Sequence, residues 1–158
     1  MRFDIPEHKI LVHEQKLPIL WGDMDSLAHV NNTVYFRYME QIRVSWVQAM
    51  GGETTGAAEG PVIANTFCNF YQPLVFPGQI VLRLYVANPG RTSIDTYVNI
   101  ERVDMPGELV AQGGATLVWV GRDDGRPRPL PSFIRALTGQ PALEAPASPP
   151  ALPPVTPD

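Results

Sequence analysis

Between residues 33 and 50, Tyr35, Tyr38, Met39, Ile42, Trp46 and Met50 recur at three- and four-residue steps. That spacing lines them along one face of a helix. Asn31, Asn32 or Thr33 can cap its start, and Gly51-Gly52 follows its end. After residue 61 the period falls to two. Residues 79–87 alternate, with Ile80, Leu82, Leu84 and Val86 on one face and Arg83 and Tyr85 among those on the other. Residues 62–71, with Ile63, Phe67 and Tyr71 at every-second positions, predict another strand, as do 91–103 and 108–120. The turns between them are marked by Gln72-Pro73 to Pro77-Gly78, Asn88-Pro89-Gly90 and Asp104-Met105-Pro106-Gly107. Gly113-Gly114, in the middle of the last strand, points to a bulge or to a close approach to the backbone.

Upstream of the helix, residues 9–20 predict one strand or two short ones, and Pro18 favours an edge or a bend because it lacks a backbone donor. Residues 1–8 are an irregular lead-in, 51–60 a loop, 121–131 a polar loop, and 133–138 a short helix. Residues 140–158 are rich in Pro and Ala and are expected to form a flexible, extended tail after a domain of residues 1–139. One apolar-faced helix followed by strands on short turns implies an α+β domain, its antiparallel sheet of about five strands curled around the helix. The edges of such a sheet need covering, and self-association would cover them.

Composition narrows the classes. A chain of 158 residues, 44% apolar and 18% charged, suits one globular domain with a proper core. Its net charge of −4 argues against a basic nucleic-acid-binding surface. The single cysteine, Cys68, excludes an intramolecular disulfide and reads as packing within a strand. The start lacks an apolar signal core and no apolar run is long enough for a membrane span, so a cytoplasmic protein is expected.

The chemistry concentrates just before the helix, where Asp23, Asp25, His29, Asn31 and Asn32 fall within ten residues. This cluster meets the positive end of the helix, where unpaired N–H groups favour developing negative charge. The string lacks the Gly and terminal Glu of a calcium loop and has no second His at helical spacing, so no metal is expected.

The residues Trp21-Gly22-Asp23-Met24-Asp25, His29-Val30-Asn31-Asn32, Tyr35, Tyr38, Glu40 and Arg43 resemble the 4-hydroxybenzoyl-CoA thioesterase-like family of hotdog-fold acyl-CoA thioesterases. Tyr71-Gln72-Pro73, Gly78, Gly90-Arg91-Thr92-Ser93 and Gly125-Arg126-Pro127 extend the resemblance in order along the chain, although Gln72 and Gln79 stand where the family often has Arg and Asp. The resemblance implies hydrolysis of an acyl-CoA by a homo-oligomer, a dimer or a tetramer. Substrate would lie between subunits, and no cofactor is needed beyond the coenzyme A of the substrate. Asp25 would then act as general base or as nucleophile, with His29 and Asn32 orienting water or the carboxylate. N–H groups near Asn31 to Val34 would polarise the carbonyl. Asn31, Thr33 and Tyr35 are expected to contact substrate, and Arg91 and Ser93 to meet the coenzyme A phosphates. Glu40 is either a second acid or the i+3 partner of Arg43, and Asp23 is expected to bond loop N–H groups. A non-catalytic acyl-CoA-binding module and a hotdog dehydratase or hydratase are the alternatives.

Overall fold

A computed structural model describes residues 2–52 and 57–139; the expected tail lies outside the described residues. Five strands form one antiparallel sheet: β1 (Ile10–Pro18), β2 (Glu59–Phe70), β3 (Gln79–Ala87), β4 (Ser93–Arg102) and β5 (Leu109–Gly121). The long helix α1 (Asn32–Ala49) follows β1, and a short α2 (Ser132–Leu137) comes last. The strand order is β1-β3-β4-β5-β2, so β1 and β2 are the edges. This is the α+β hotdog arrangement that the pattern and the resemblance predict.

The alternation in β3 works as expected, since Ile80, Leu82, Leu84 and Val86 are all fully buried. With Ile94, Val98, Ile100 and Leu117 they form the sheet's side of the core, against which Tyr38, Met39, Ile42 and Trp46 of α1 pack. Burying these side chains supplies the main driving force for closing sheet on helix, at roughly 1.5–3 kcal/mol each. Among the described residues no helix is long and apolar enough to cross a membrane.

Four details depart from the sequence pattern or settle it. Met50 is exposed, because it is the C-cap of α1 and lies past the last packed turn. Residues 10–18 form a single strand with an irregularity between Leu11 and His13, and Pro18 sits at its end on the sheet edge. β2 starts at Glu59; Ile63 pairs with the buried Leu117 but is exposed because β2 is an edge strand, the register shift between Ile63 and Asn65 breaks the every-second pattern beyond it, and Tyr71 is exposed just past the strand's end. Gly113 and Gly114 sit in regular register with β2 and β4, so they are not a bulge. They are places of close approach. A Cβ at Gly113 would collide with the Met39 sulfur and lie 2.7 Å from the Phe67 carbonyl oxygen, and one at Gly114 would lie 2.7 Å from the Phe67 ring.

The helix therefore rests directly on bare backbone at the middle of β5. Gly113→Val should force α1 off the sheet and cost about 1–3 kcal/mol, as overpacking does. Thermal denaturation should register this as a fall of several degrees in Tm, at about 2–4 °C per kcal/mol for a chain of this size.

Candidate active site

The loop between β1 and α1 is built from its own hydrogen bonds. A 3-10 turn at Trp21–Asp23 leads into a short bridge between Met24 and Val30. Inside it the Asp25 N–H donates to the His29 carbonyl at 2.8 Å, and the Ala28 N–H donates to the Asp25 carbonyl at 3.0 Å. The Leu27 N–H donates to Asp25 Oδ1 at 2.8 Å, which orients the carboxylate. Ala28 completes the reversal with φ +59°.

Two anchors hold this loop to the body. Asp23 is buried, and Tyr38 of α1 donates its hydroxyl to Oδ2 at 3.0 Å while Arg37 pairs with Oδ1. The Asp23 carbonyl also accepts the Asn31 N–H at 2.9 Å. Asp23 is thus structural, as expected, but its carboxylate is satisfied by side chains of α1 instead of loop N–H groups. Burial and the hydrogen bond to the Asp23 carboxylate both hold the Tyr38 hydroxyl well above the usual phenol range. The second anchor is Leu74, whose carbonyl accepts the Val30 N–H at 2.8 Å and whose N–H donates to the Tyr35 hydroxyl at 3.3 Å.

Between the loop and the segment after β2 lies a hollow of about 380 Å³, walled by Asp25, His29 and Asn32 on one side and Phe70 to Pro73 on the other. Tyr35 lines it with its ring edge-on to Phe70, centroids 5.0 Å apart. Three of the expected catalytic residues therefore converge. Phe70, Tyr71 and Gln72 also belong to the site. The Tyr71-Gln72-Pro73 string carried the resemblance, but nothing in its residue types signalled that it faces Asp25.

The other expected residues divide. Asn31 is the N-cap, its Oδ1 accepting the Thr33 N–H at 2.9 Å and the Thr33 hydroxyl at 2.7 Å, so both side chains are committed to the helix start. The Val34 N–H donates to the Asn31 carbonyl at 2.9 Å. The donors expected across Asn31 to Val34 thus narrow to the Asn32 N–H, which has no such partner among the described residues. Glu40 is exposed and lines a different hollow, and the buried Arg43 Nη1 does not bond it, so the i+3 ion pair is not formed. Arg91 and Ser93 lie at the opposite end of the sheet. Ser93 pairs with Val118 near the Glu59–Gly121 end, whereas Asp25 sits by Phe70, which pairs with Ala111. Cys68 is half-buried, and desolvation pushes its thiol up to about 12, which leaves no thiolate nucleophile near neutral pH. Among the described residues no group of His, Cys, Asp and Glu is arranged to hold a metal ion.

A sheet wrapped on one helix, with an oriented carboxylate and an amide at the helix start, is the architecture of a hotdog domain. Residues 19–137 match the model of the Thioesterase-like superfamily, well over half of the chain, and the chain belongs to that family. Among solved structures it is similar to the PA2801 protein of Pseudomonas aeruginosa, described as a candidate thioesterase. The two are 38% identical with a TM-score of 0.79, over 81% of this chain and 98% of the other. A candidate acyl-CoA thioesterase from Xanthomonas campestris is 31% identical with a TM-score of 0.68, over 76% of this chain and 99% of the other. The uncharacterised protein YsmA of Bacillus subtilis (strain 168) is 23% identical over 111 residues, 70% of this chain and 74% of that protein.

Tyr38→Phe leaves the buried Asp23 carboxylate with one partner fewer. It should cost about 1.5–3 kcal/mol in urea unfolding, the range for losing a hydrogen bond to a charged group.

Proposed function

We propose that the chain is an acyl-CoA thioesterase that hydrolyses an acyl-CoA to the free acid and coenzyme A. The observation that carries this is the convergence of Asp25, His29 and Asn32 on one hollow at the start of α1, in a member of the Thioesterase-like superfamily. The likeness to candidate thioesterases at 38% and 31% identity supports it. With Oδ1 of Asp25 held by the Leu27 N–H, the second oxygen is left to take a proton from water. The resulting hydroxide attacks the thioester carbon, and the oxyanion forms at the Asn32 N–H beside the positive end of the helix. The carbon–sulfur bond then breaks, and the thiolate leaves to be protonated. His29 is exposed and free to orient the water. In the nucleophilic variant Asp25 attacks directly, expelling the thiolate and giving a mixed anhydride; water that opens it at the Asp25 carbonyl carbon labels the Asp25 carboxylate in a single turnover in 18O-water, whereas water that opens it at the acyl carbon labels the released acid. No cofactor is required beyond the coenzyme A of the substrate, and an acyl-CoA substrate puts the enzyme in the cytoplasm.

Self-association is part of the same proposal. From Pro61 to Phe70 the edge strand β2 carries no charged residue, and its Val62 and Ile63 are 47% and 45% exposed. An uncharged edge of ten residues invites pairing. Antiparallel pairing of β2 with a second copy would set the Glu59 end of one copy against the Phe70 end of the other. Arg91 and Ser93 of the second copy would then approach the Asp25 hollow, where the phosphates of coenzyme A need cations.

With a panel of acyl-CoAs the wild type should release free thiol, and Asp25→Asn should slow release by about 10²–10⁴. Full activity in Asp25→Asn refutes the assignment of Asp25. Acyl-CoA binding without any thiol release favours the non-catalytic binding module. By sedimentation the wild type should be a dimer or larger, whereas Val62→Lys, which sets a charge on the edge, should be a monomer with most of its activity lost.

A further inference from the structure

Arg2 is exposed, yet its place is set by the residue after it. The buried Asn69 side chain holds Phe3 by both backbone groups: Oδ1 accepts the Phe3 N–H at 3.1 Å, and Nδ2 donates to the Phe3 carbonyl at 2.8 Å. The Phe3 ring stacks on Phe67, centroids 4.6 Å apart. The lead-in is thus pinned to the outer face of β2, opposite the face on which Phe70 meets Tyr35 of α1. One residue earlier, the Arg2 guanidinium rests over the Tyr71 ring, 5.3 Å from its centroid. The Tyr71 hydroxyl donates to Gln112 Oε1 at 3.0 Å, which fixes that ring in turn. Tyr71 belongs to the wall of the Asp25 hollow, and none of the described residues lining that hollow is Lys or Arg. Arg2 makes no ion pair among the described residues. A guanidinium lying on a ring keeps its N–H edge open, and that edge matches a phosphate.

We propose that Arg2 holds a phosphate of the coenzyme A moiety, with the pantetheine arm running past Tyr71 from the thioester in the Asp25 hollow. This rests on the acyl-CoA reading above and adds to it a binding residue from the same chain as Asp25. The phosphates of coenzyme A stand a full pantetheine arm from the sulfur, so their cation belongs at the rim of the hollow and not beside the carboxylate. The charge of Asp25 makes the same demand, because it repels a phosphate brought close to it. Asn69 is the positioning residue, since it fixes the backbone from which Arg2 reaches Tyr71. Arg2 lies in solvent, so its contact with phosphate is screened by salt and contributes to affinity, not to the chemical step. No bond is made or broken by it.

The test uses the full chain and one acyl group carried either on coenzyme A or on pantetheine, which keeps the arm and lacks the phosphates. Arg2→Gln should raise KM for the coenzyme A thioester by about two- to fivefold at low salt, the range of an exposed charge pair, with kcat unchanged. The rise should fade at high salt. KM for the pantetheine thioester should stay at the wild-type value, and so should Tm. Arg2→Lys, which keeps the charge and loses the fork, should recover part of the affinity. Asn69→Ala should raise the same KM, and adding Arg2→Gln to it should raise it no further; additive losses would take the positioning role from Asn69. An equal rise with both thioesters, or a rise with neither, overturns the assignment of Arg2 while the thioesterase reading stands. If the wild type hydrolyses neither thioester, that reading falls, and calorimetry with free coenzyme A and pantetheine decides Arg2 separately. A wild type that binds coenzyme A no tighter than pantetheine then overturns it, as does an Arg2→Gln variant that keeps the whole difference.

Discussion

The Asp23 carboxylate, buried and gripped by Arg37 and Tyr38, is the interaction on which the site depends. It lies at the end of the 3-10 turn, one residue before the bridge that opens the polar loop. Its two partners come from the second turn of α1, so one side chain fixes the loop to the helix that the loop precedes. Its main-chain carbonyl takes the Asn31 N–H, which sets the helix cap as well. Two short links, through Asp23 and through Leu74, decide where the Asp25 carboxylate stands relative to the start of the helix.

That geometry also spends most of what a helix end has to offer. The Asn31 cap takes up the Thr33 N–H and the Val34 N–H goes to the Asn31 carbonyl, so the favourable potential remains while the number of free donors falls. A site of this kind relies on placing one amide well instead of offering many. Tyr35, buried with its hydroxyl held raised by desolvation, closes the floor and keeps the helix start from slipping relative to the segment after β2.

Much of this was legible in the residues. Three- and four-residue spacing located α1, the alternation of Ile80, Leu82, Leu84 and Val86 located β3, and the crowding of Asp25, His29 and Asn32 located the polar hollow. What could not be read is long-range or depends on a single register. Arg37 reaches Asp23 only because the loop folds back on the helix, and no spacing rule encodes that. Ile63 looked like a core residue and does face the side of the buried Leu117, but the edge position of β2 leaves it exposed. Arg91 and Ser93 were drawn to the site by resemblance alone, and strand order sets them at the far end of the sheet within one copy. Glu40 and Arg43, three residues apart, looked like a surface pair, yet the helix turns one outward and the other inward.

Ala28 holds φ +59° without being a glycine, a conformation that costs a side-chain-bearing residue about 1–2 kcal/mol. The bonds from Asp25, Leu27 and Ala28 pay that cost, and they close a turn of only five residues. Tension and restraint are thus balanced over the span that carries the carboxylate. When the molecule breathes, this turn is where slow-exchange protection of the amides should fail first, well before the sheet beneath it loosens.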